Sequence, residues 1–323
     1  MVSCKVLCIG SALQDVYLKD RDDFSTVELF DHCLFNRIEL GAKIDIDKVF
    51  FSVGGGATNA AVTFARQGIE TLYMGEIGRD AAGQAVLDLL DEEGIDTRYV
   101  KYSGRYGTGY SIILLAPNGE RTILVYRGAS CKYKLIKSDD ISEIKPDWIY
   151  LSTLAGDYDA LLRVVLTCAK TETKIMFNPG KAELAHVDKL KGLLGDIDVL
   201  LLNKEEAQKL VDGTTLDELT THLLSYTKCV VITDGANGSM ASDGVTKVRA
   251  GLYEDNKTTD RTGAGDAFGS GFLSQWARGK SLKQSIIFAS ANSSSVVSQI
   301  GAKTGILDKS AKLHAMPIHE DKL

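Results

Sequence analysis

No G-x-x-x-x-G-K-[ST] string occurs in the 323 residues, so any nucleotide bound by this chain is not held by the loop that P-loop proteins use. No run of eighteen apolar residues occurs either, which argues against a membrane-spanning helix. Positive charge is in deficit: 37 Lys and Arg stand against 43 Asp and Glu, giving a net charge of −6 and a pI near 5.5. Nucleic acid and anionic membrane are therefore not expected as main partners, because phosphate backbones need a positive surface. Cys4 and Cys8 have the spacing of half a metal site, but no second Cys/His pair of suitable spacing accompanies them. With Cys33, Cys131, Cys168 and Cys229 they read as buried, reduced thiols. An apolar strand pattern starts at once at the N-terminus with no secretory leader, so the expected location is cytoplasmic. Internal repeats, low-complexity tracts and long linkers are also missing, and residues 1–323 are expected to form a single compact unit. The closing His319-Glu320-Asp321-Lys322-Leu323 reads as a solvated tail.

What is present begins with Asp260-Arg261-Thr262-Gly263-Ala264-Gly265-Asp266, followed by small and apolar residues with helical character. Gly263, Ala264 and Gly265 have almost no side chain, so their backbone N–H groups can close on a phosphate at the positive end of a helix dipole. Asp266 then sits beside the anion. It repels a ground-state phosphate, yet it is well placed to take a proton from a hydroxyl that attacks one. The plain alternative is a helix capped by Asp260 or Thr262, with small residues that let it pack closely.

Short apolar runs at 5–9, 71–74, 148–151, 174–177, 198–202 and 229–233 suit buried parallel strands. Helical spacing at 59–67, 81–93, 158–170 and 204–211 lies between most of them, and two further helices follow at about 265–278 and 282–300. Alternating strand and helix means a parallel sheet covered on both faces. Residues 16–53 and 99–127 break the rhythm as β-rich hairpins, the second turning at Pro117-Asn118-Gly119-Glu120. A small sheet of this kind is a natural lid, able to exclude water from a phosphoryl-transfer site.

A second glycine cluster, Gly54-Gly55-Gly56-Ala57-Thr58-Asn59, precedes a helix. With Ala61, Gly68 and Gly78, and with Asp260, Gly263, Ala264, Gly265, Asp266, Gly271 and Phe272, it resembles the two signatures of the ribokinase family of sugar and nucleoside kinases, the phosphofructokinase-B type. The resemblance spans essentially the whole chain. It implies a three-layer α/β/α fold with a mostly parallel central sheet and a small β-sheet lid. It implies transfer of the γ-phosphoryl of ATP to a primary hydroxyl of a small sugar, or alternatively of a nucleoside. A catalytically silent sugar- or nucleotide-binding protein is the rival from another class.

The roles follow from the same resemblance. Asp266 aligns with the catalytic base, and the amides of Gly263, Ala264, Gly265 and Asp266 with the anion hole. Asp15, Gly54, Gly55 and Asn59 align with the sugar floor. Asn203 and Glu206 match an N-x-x-E element that organises Mg²⁺ and the ATP phosphates, a spacing that a solvated helix start would also satisfy. Thr233, Gly235 and Gly238 match a turn beside the nucleotide, and a simple hairpin turn fits them locally as well. Asp260 and Thr262, with residues near Gln299, Gly301 and Gly305, align with a monovalent-cation site that binds K⁺ in many members. Lids of this family often pair between subunits, so a homodimer through the lid is a further expectation. Arg261 and Gly56 depart from the common pattern; Gly56 stands where ribokinases proper carry Lys. Two side chains of the lid strand, Tyr126 and Arg127, are candidate substrate contacts, by stacking and by pairing with an acidic sugar.

Overall fold

Strand side chains alternate between two cores. Val6 and Cys8, Trp148 and Tyr150, and Val199 and Leu201 enter one cluster, while Leu7 and Ile9, Ile149 and Leu151, and Leu200 and Leu202 enter the other. That period of two, with apolar residues at every position, is the pattern of strands covered on both faces. The computed structural model describes residues 4–19, 26–28, 34–36, 38–115, 121–253 and 258–323. The turn expected at Pro117-Asn118-Gly119-Glu120 lies outside them, as does Cys33. The remaining five cysteines are free thiols, four of them buried.

Among the described residues the central sheet has nine strands. From one edge inward, Ile318–Lys322, Thr246–Ala250 and Ser239–Ser242 form an antiparallel flank. Val230–Thr233, Val199–Asn203, Lys174–Phe177, Trp148–Leu151, Lys5–Ile9 and Glu70–Met74 then run parallel. The chain leaves Lys5–Ile9 toward Glu70–Met74 on one side and later resumes with Trp148–Leu151 on the other. This reversal creates a crevice at the carboxyl ends of the strands, where open α/β sheets bind ligands. Among the described residues, no helix is long and apolar enough to cross a membrane.

The helices Gly56–Arg66, Ala264–Trp276 and Leu282–Val297 pack on the same face. Their small residues permit this: a Cβ on Gly271 would stand 3.1 Å from Ala289 Cα, and one on Gly269 2.3 Å from Leu201 Cδ2. The first of these helices starts at Gly56, earlier than the expected residue 59, because Gly55 at φ 103° replaces a capping side chain and lets the glycine run enter the first turn.

Among the described residues, Arg121–Tyr126, Gly109–Leu115, Leu13–Lys19 and Lys48–Gly54 form a four-stranded lid sheet in that order. Its limits differ from the expected 16–53 and 99–127. Leu13 pairs with both Gly54 and Gly109, so the sheet begins earlier. Lys101–Tyr102 does not join it, because Lys101 N donates to Gly75 O and Ser103 N to Ile77 O, tying that stretch to the strand Glu76–Ile77. The C-terminus also corrects the sequence reading. Residues 318–322 are an edge strand paired with Thr246–Ala250, anchored by Ile318 against the core. Its charged outer residues suit a sheet edge that must not pair further.

Candidate active site

The helix Ala264–Trp276 begins without a side-chain cap, since its N-cap is Gly263 at φ 79°. A Cβ at Gly263 would press on Ala302 at 2.4 Å, so both the backbone conformation and the space require glycine. The uncapped first turn leaves backbone N–H donors facing the crevice. Ala264 N leans back on Arg261 O at 3.4 Å. Asp260 is fully buried beneath this loop and holds it in place. Its Oδ1 accepts from Thr262 N at 2.9 Å and Thr262 Oγ1 at 2.6 Å, and its Oδ2 accepts from Gly301 N at 3.1 Å. Asp260, Thr262 and Gly301 thus meet around one carboxylate, whereas Gln299 is exposed.

Asp266 sits in the first turn of the helix, partly open to the crevice. Asn59 Nδ2 donates to its Oδ2 at 2.8 Å. Burial pushes the Asp266 carboxyl above its ordinary range, and the Asn59 hydrogen bond and the nearby Lys303 ammonium oppose that shift. A carboxylate with raised proton affinity that still faces a cleft has the character of a general base.

Asp15 lies on the lid strand Leu13–Lys19 and is buried. Burial raises its carboxyl, a Ser111 hydrogen bond and Lys303 pull it back, and Asp260 and Asp266 push it up again. Asp15 leaves no room for a side chain at Gly54, where a Cβ would meet its Oδ2 at 2.0 Å. Gly55 lies at φ 103° with Ser11 O only 2.3 Å from an added Cβ. Asn59 sits in the same floor, but its amide is engaged on both sides: Nδ2 by Asp266, and Oδ1 by Lys303 Nζ at 2.5 Å. One hydrogen and one lone pair remain for a ligand.

Asn203 and Glu206 form a reciprocal capping box at the start of Lys204–Leu210, with both bonds at 2.9 Å. They cap their helix, as the plain reading allowed, and also line a cavity of about 210 Å³ with Asp266, Gly263 and Asn178. Burial raises the Glu206 carboxyl, partly offset by the Asn203 N–H. Among the described residues no cluster of three His, Cys, Asp or Glu forms. Glu206 beside the phosphate loop still fits a magnesium ion that keeps most of its waters. A second cavity of about 730 Å³ is lined by Thr233, Gly235, Gly238, Tyr253, Phe268 and Val297 among others. Thr233, Arg261, Ala264 and Gly265 border both cavities, so the glycine loop is the wall they share. An elongated ligand with an aromatic head in the larger space would lay its anionic tail over the loop.

Two residues of the site escaped sequence reading. Arg121, on the last lid strand, lines the smaller cavity and donates from Nη2 to Arg261 O at 3.3 Å, while its Nε is buried without a partner among the described residues. It shares a face with Ile123 and Val125, and Val125 pairs with Ser111 and Ser111 with Asp15, a register that the sequence alone does not fix. Lys303 is the other, and only its glycine-bounded setting hinted at it. Tyr126 pairs with Tyr110 on the lid face opposite to the one that carries Asp15, and is exposed to solvent. Arg127 is likewise exposed, beyond the end of that strand.

Known proteins match this arrangement over nearly its whole length. The model of the pfkB family of carbohydrate kinases matches residues 5–309. Ribokinase of Haemophilus influenzae is 26% identical over 261 residues, 78% of this chain and 83% of that protein. The ATP-dependent 6-phosphofructokinase of Thermoanaerobacterium thermosaccharolyticum is 25% identical over 317 residues, 94% and 91% of the two chains. The structure of Arabidopsis thaliana ribokinase complexed with ribose and ATP shares the fold, with a TM-score of 0.78 at 24% identity over 96% of this chain and 97% of that one. Nucleoside kinase of Burkholderia thailandensis in complex with inosine shares it too, with a TM-score of 0.77 at 18% identity and 95% coverage of each. This chain is an ATP-dependent phosphotransferase and belongs to the pfkB family of carbohydrate kinases.

Proposed function

We propose that the enzyme transfers the γ-phosphoryl group of ATP to a primary hydroxyl of a small sugar seated on Asp15, Gly54, Gly55 and Asn59. The observation that carries this reading is Asp266 at the head of an uncapped helix, facing the same floor as Asp15. Asp266 accepts the proton of the acceptor hydroxyl as its oxygen forms the new bond to phosphorus; the bond from phosphorus to the β-phosphate oxygen breaks, and its electron pair leaves on ADP. Backbone N–H groups from Gly263 to Asp266 stabilise the charge that develops on the transferring group. Arg121 adds a cation from the lid side. A magnesium ion held through Glu206 and water would neutralise the phosphates. Asp260, Thr262 and the backbone near Gly301 are the proposed seat of a monovalent cation that orders the loop.

A nucleoside acceptor is the second reading, favoured by one feature. The lid face that carries Asp15 continues into Phe50, Ile123 and Val125, exposed by 39%, 39% and 49%. Such an apolar surface could cover a base. We further place the enzyme in the cytoplasm, as a homodimer paired through the outer face of the lid.

The test is ADP release with Mg-ATP and K⁺ across pentoses, hexoses, sugar acids, sugar phosphates and nucleosides, with Asp266→Asn as control. One strong sugar substrate lost in the variant supports the reading. Turnover of nucleosides alone selects the second reading, and a silent wild type across the panel overturns both.

A further inference from the structure

Lys303 is only 4% exposed, yet nothing in the reaction as outlined requires a lysine there. Its Nζ donates to Val53 O at 2.6 Å, Thr58 Oγ1 at 3.0 Å and Asn59 Oδ1 at 2.5 Å. These acceptors use all three N–H groups of an ammonium. They also place it at the N-terminus of the helix Gly56–Arg66, the end where the helix dipole disfavours a cation. Burial and that dipole both work against the charge, and the lysine is pushed down to about 7 by desolvation. Packing alone would be met as well by an apolar side chain of the same length.

The compensation lies on the other side. Asp15 from the lid and Asp266 from the phosphate-loop helix both act on Lys303 in favour of its charged form; Glu93 adds to them more weakly, and Arg66 opposes. The charge of Asp260 also bears on Asp15. Two desolvated carboxylates that share one floor repel each other, and one would ordinarily take up a proton. A buried cation on which both carboxylates act eases that conflict. The contact to Asn59 does something more specific. An ammonium only donates, so it forces Asn59 Oδ1 toward itself and turns Nδ2 toward Asp266, fixing which way the amide points. The chain Lys303, Asn59, Asp266 is continuous, at 2.5 and 2.8 Å.

We infer that Lys303 is a positioning residue of the phosphoryl-transfer step. Through Asn59 it fixes the direction of the Asp266 carboxylate, and its ammonium is the counter-charge that lets Asp15 and Asp266 share a buried floor. The inference rests on the kinase reading above and adds to it a residue from a segment 244 positions away from Asn59.

The experiment compares wild type, Lys303→Met, Lys303→Gln and Asp266→Asn across pH, on the acceptor giving the strongest ADP release, with thermal melts to establish folding. Lys303→Met removes both donor and charge. Its kcat is expected to fall roughly tenfold or more, as misplaced catalytic groups do, with KM for ATP held within about twofold. The acid limb of its kcat profile should move to higher pH, because Asp266 loses a cation that favours ionisation. Lys303→Gln keeps a donor for Asn59 Oδ1 without the charge. It should recover part of kcat while retaining the displaced limb, a split that a packing role does not produce. Should Lys303→Met fail to fold, the Lys303→Gln profile carries the test. A folded variant with the wild-type acid limb, or with kcat within about twofold of wild type, overturns the inference. A wild type silent on every acceptor is recognisable without any variant, and overturns the kinase reading together with what rests on it.

Discussion

A Cβ on residue 54 would stand 2.0 Å from Asp15 Oδ2, so Gly54 and Asp15 occupy their places only together. The strand Lys48–Gly54 lies beside Leu13–Lys19, with Leu13 opposite Gly54. The carboxylate of Asp15 therefore fills the volume that any side chain at 54 would need. Gly54→Ala should displace Asp15 while leaving the phosphate loop in place. Losing hydrogen bonds from a charged group costs about 1.5–3 kcal/mol, and kcat/KM for the acceptor should fall by roughly one to two orders of magnitude. KM for ATP should stay near wild type. Equal losses for ATP and acceptor would show that the substitution damages the fold rather than the floor.

Asp266→Asn should separate activity from stability. On its proposed role as general base, kcat is expected to drop ~10²-fold or more with little change in either KM. Stability should move the other way. Burial raises the Asp266 carboxyl in the folded state, so folding favours the protonated form. That contribution is fully present below the unfolded value, disappears as pH rises through the folded one, and leaves the neutral-pH enzyme carrying a desolvated carboxylate. Asparagine is neutral and can still accept from Asn59, so at neutral pH Tm should rise by roughly 1–4 °C. A fall in Tm with retained turnover would remove both the base and the strain from Asp266.

The raised carboxyl also fixes the sign of the pH dependence. A base must be ionised to work, and the Asp266 carboxyl sits above 3.8, the ordinary aspartate value. The acid limb of kcat should accordingly lie above the range of a solvated aspartate. Bell-profile kinetics in the presence of saturating Mg-ATP measure it. A limb at or below the solvated value would mean that another group limits the rate at low pH.

Much of the site was legible because its chemistry is local. Gly263, Ala264, Gly265 and Asp266 form a loop and a helix start within a few residues, and Asn203 and Glu206 form their box within one turn. Buried parallel strands announced themselves as unbroken apolar runs. What escaped is what long-range packing decides. Lys303 reaches its partners across 244 to 250 residues, and Arg121 reaches Arg261 across 140; no window of sequence contains both ends. The face that Tyr126 presents stayed open in the sequence because it depends on the lid's register; the pairing with Tyr110 turns it outward. Residues 318–322 looked like a solvated tail because their exposed side chains are charged, although their backbone completes the sheet edge.

Arg121 and Tyr126 lie on one strand with opposite parity, so they make a paired test of the lid's orientation. Arg121→Met removes a cation that lines the smaller cavity and should lower kcat by roughly tenfold, or raise KM for ATP by a similar factor. Tyr126→Ser, on the opposite face, should leave kcat within about twofold of wild type. Matched losses in both variants would show that the strand's packing, not the Arg121 guanidinium, supports catalysis.

The outer face of the lid carries a cross-strand row of apolar residues. Phe51, Val16, Ile112 and Leu124 stand opposite one another in turn, with the paired Tyr110 and Tyr126 alongside. Phe51 is 68% exposed, and Leu124 and Tyr126 are each 55% exposed. Side chains of this size gathered on one sheet face are usual at a protein contact and costly against water. A second copy of the same face is self-complementary, because a two-fold axis through the sheet would set each apolar row against its equivalent. Light scattering on the purified enzyme at micromolar concentration should therefore give twice the chain mass of 35.0 kDa. Phe51→Glu combined with Leu124→Glu should return the mass to that of one chain, since burying carboxylates at the contact is prohibitive. The monomer so produced should still bind ATP, because the larger cavity lies on the glycine loop and the antiparallel flank of the main sheet, away from this face. A wild type that runs as one chain at every concentration would end the dimer proposal and leave the apolar row to another partner.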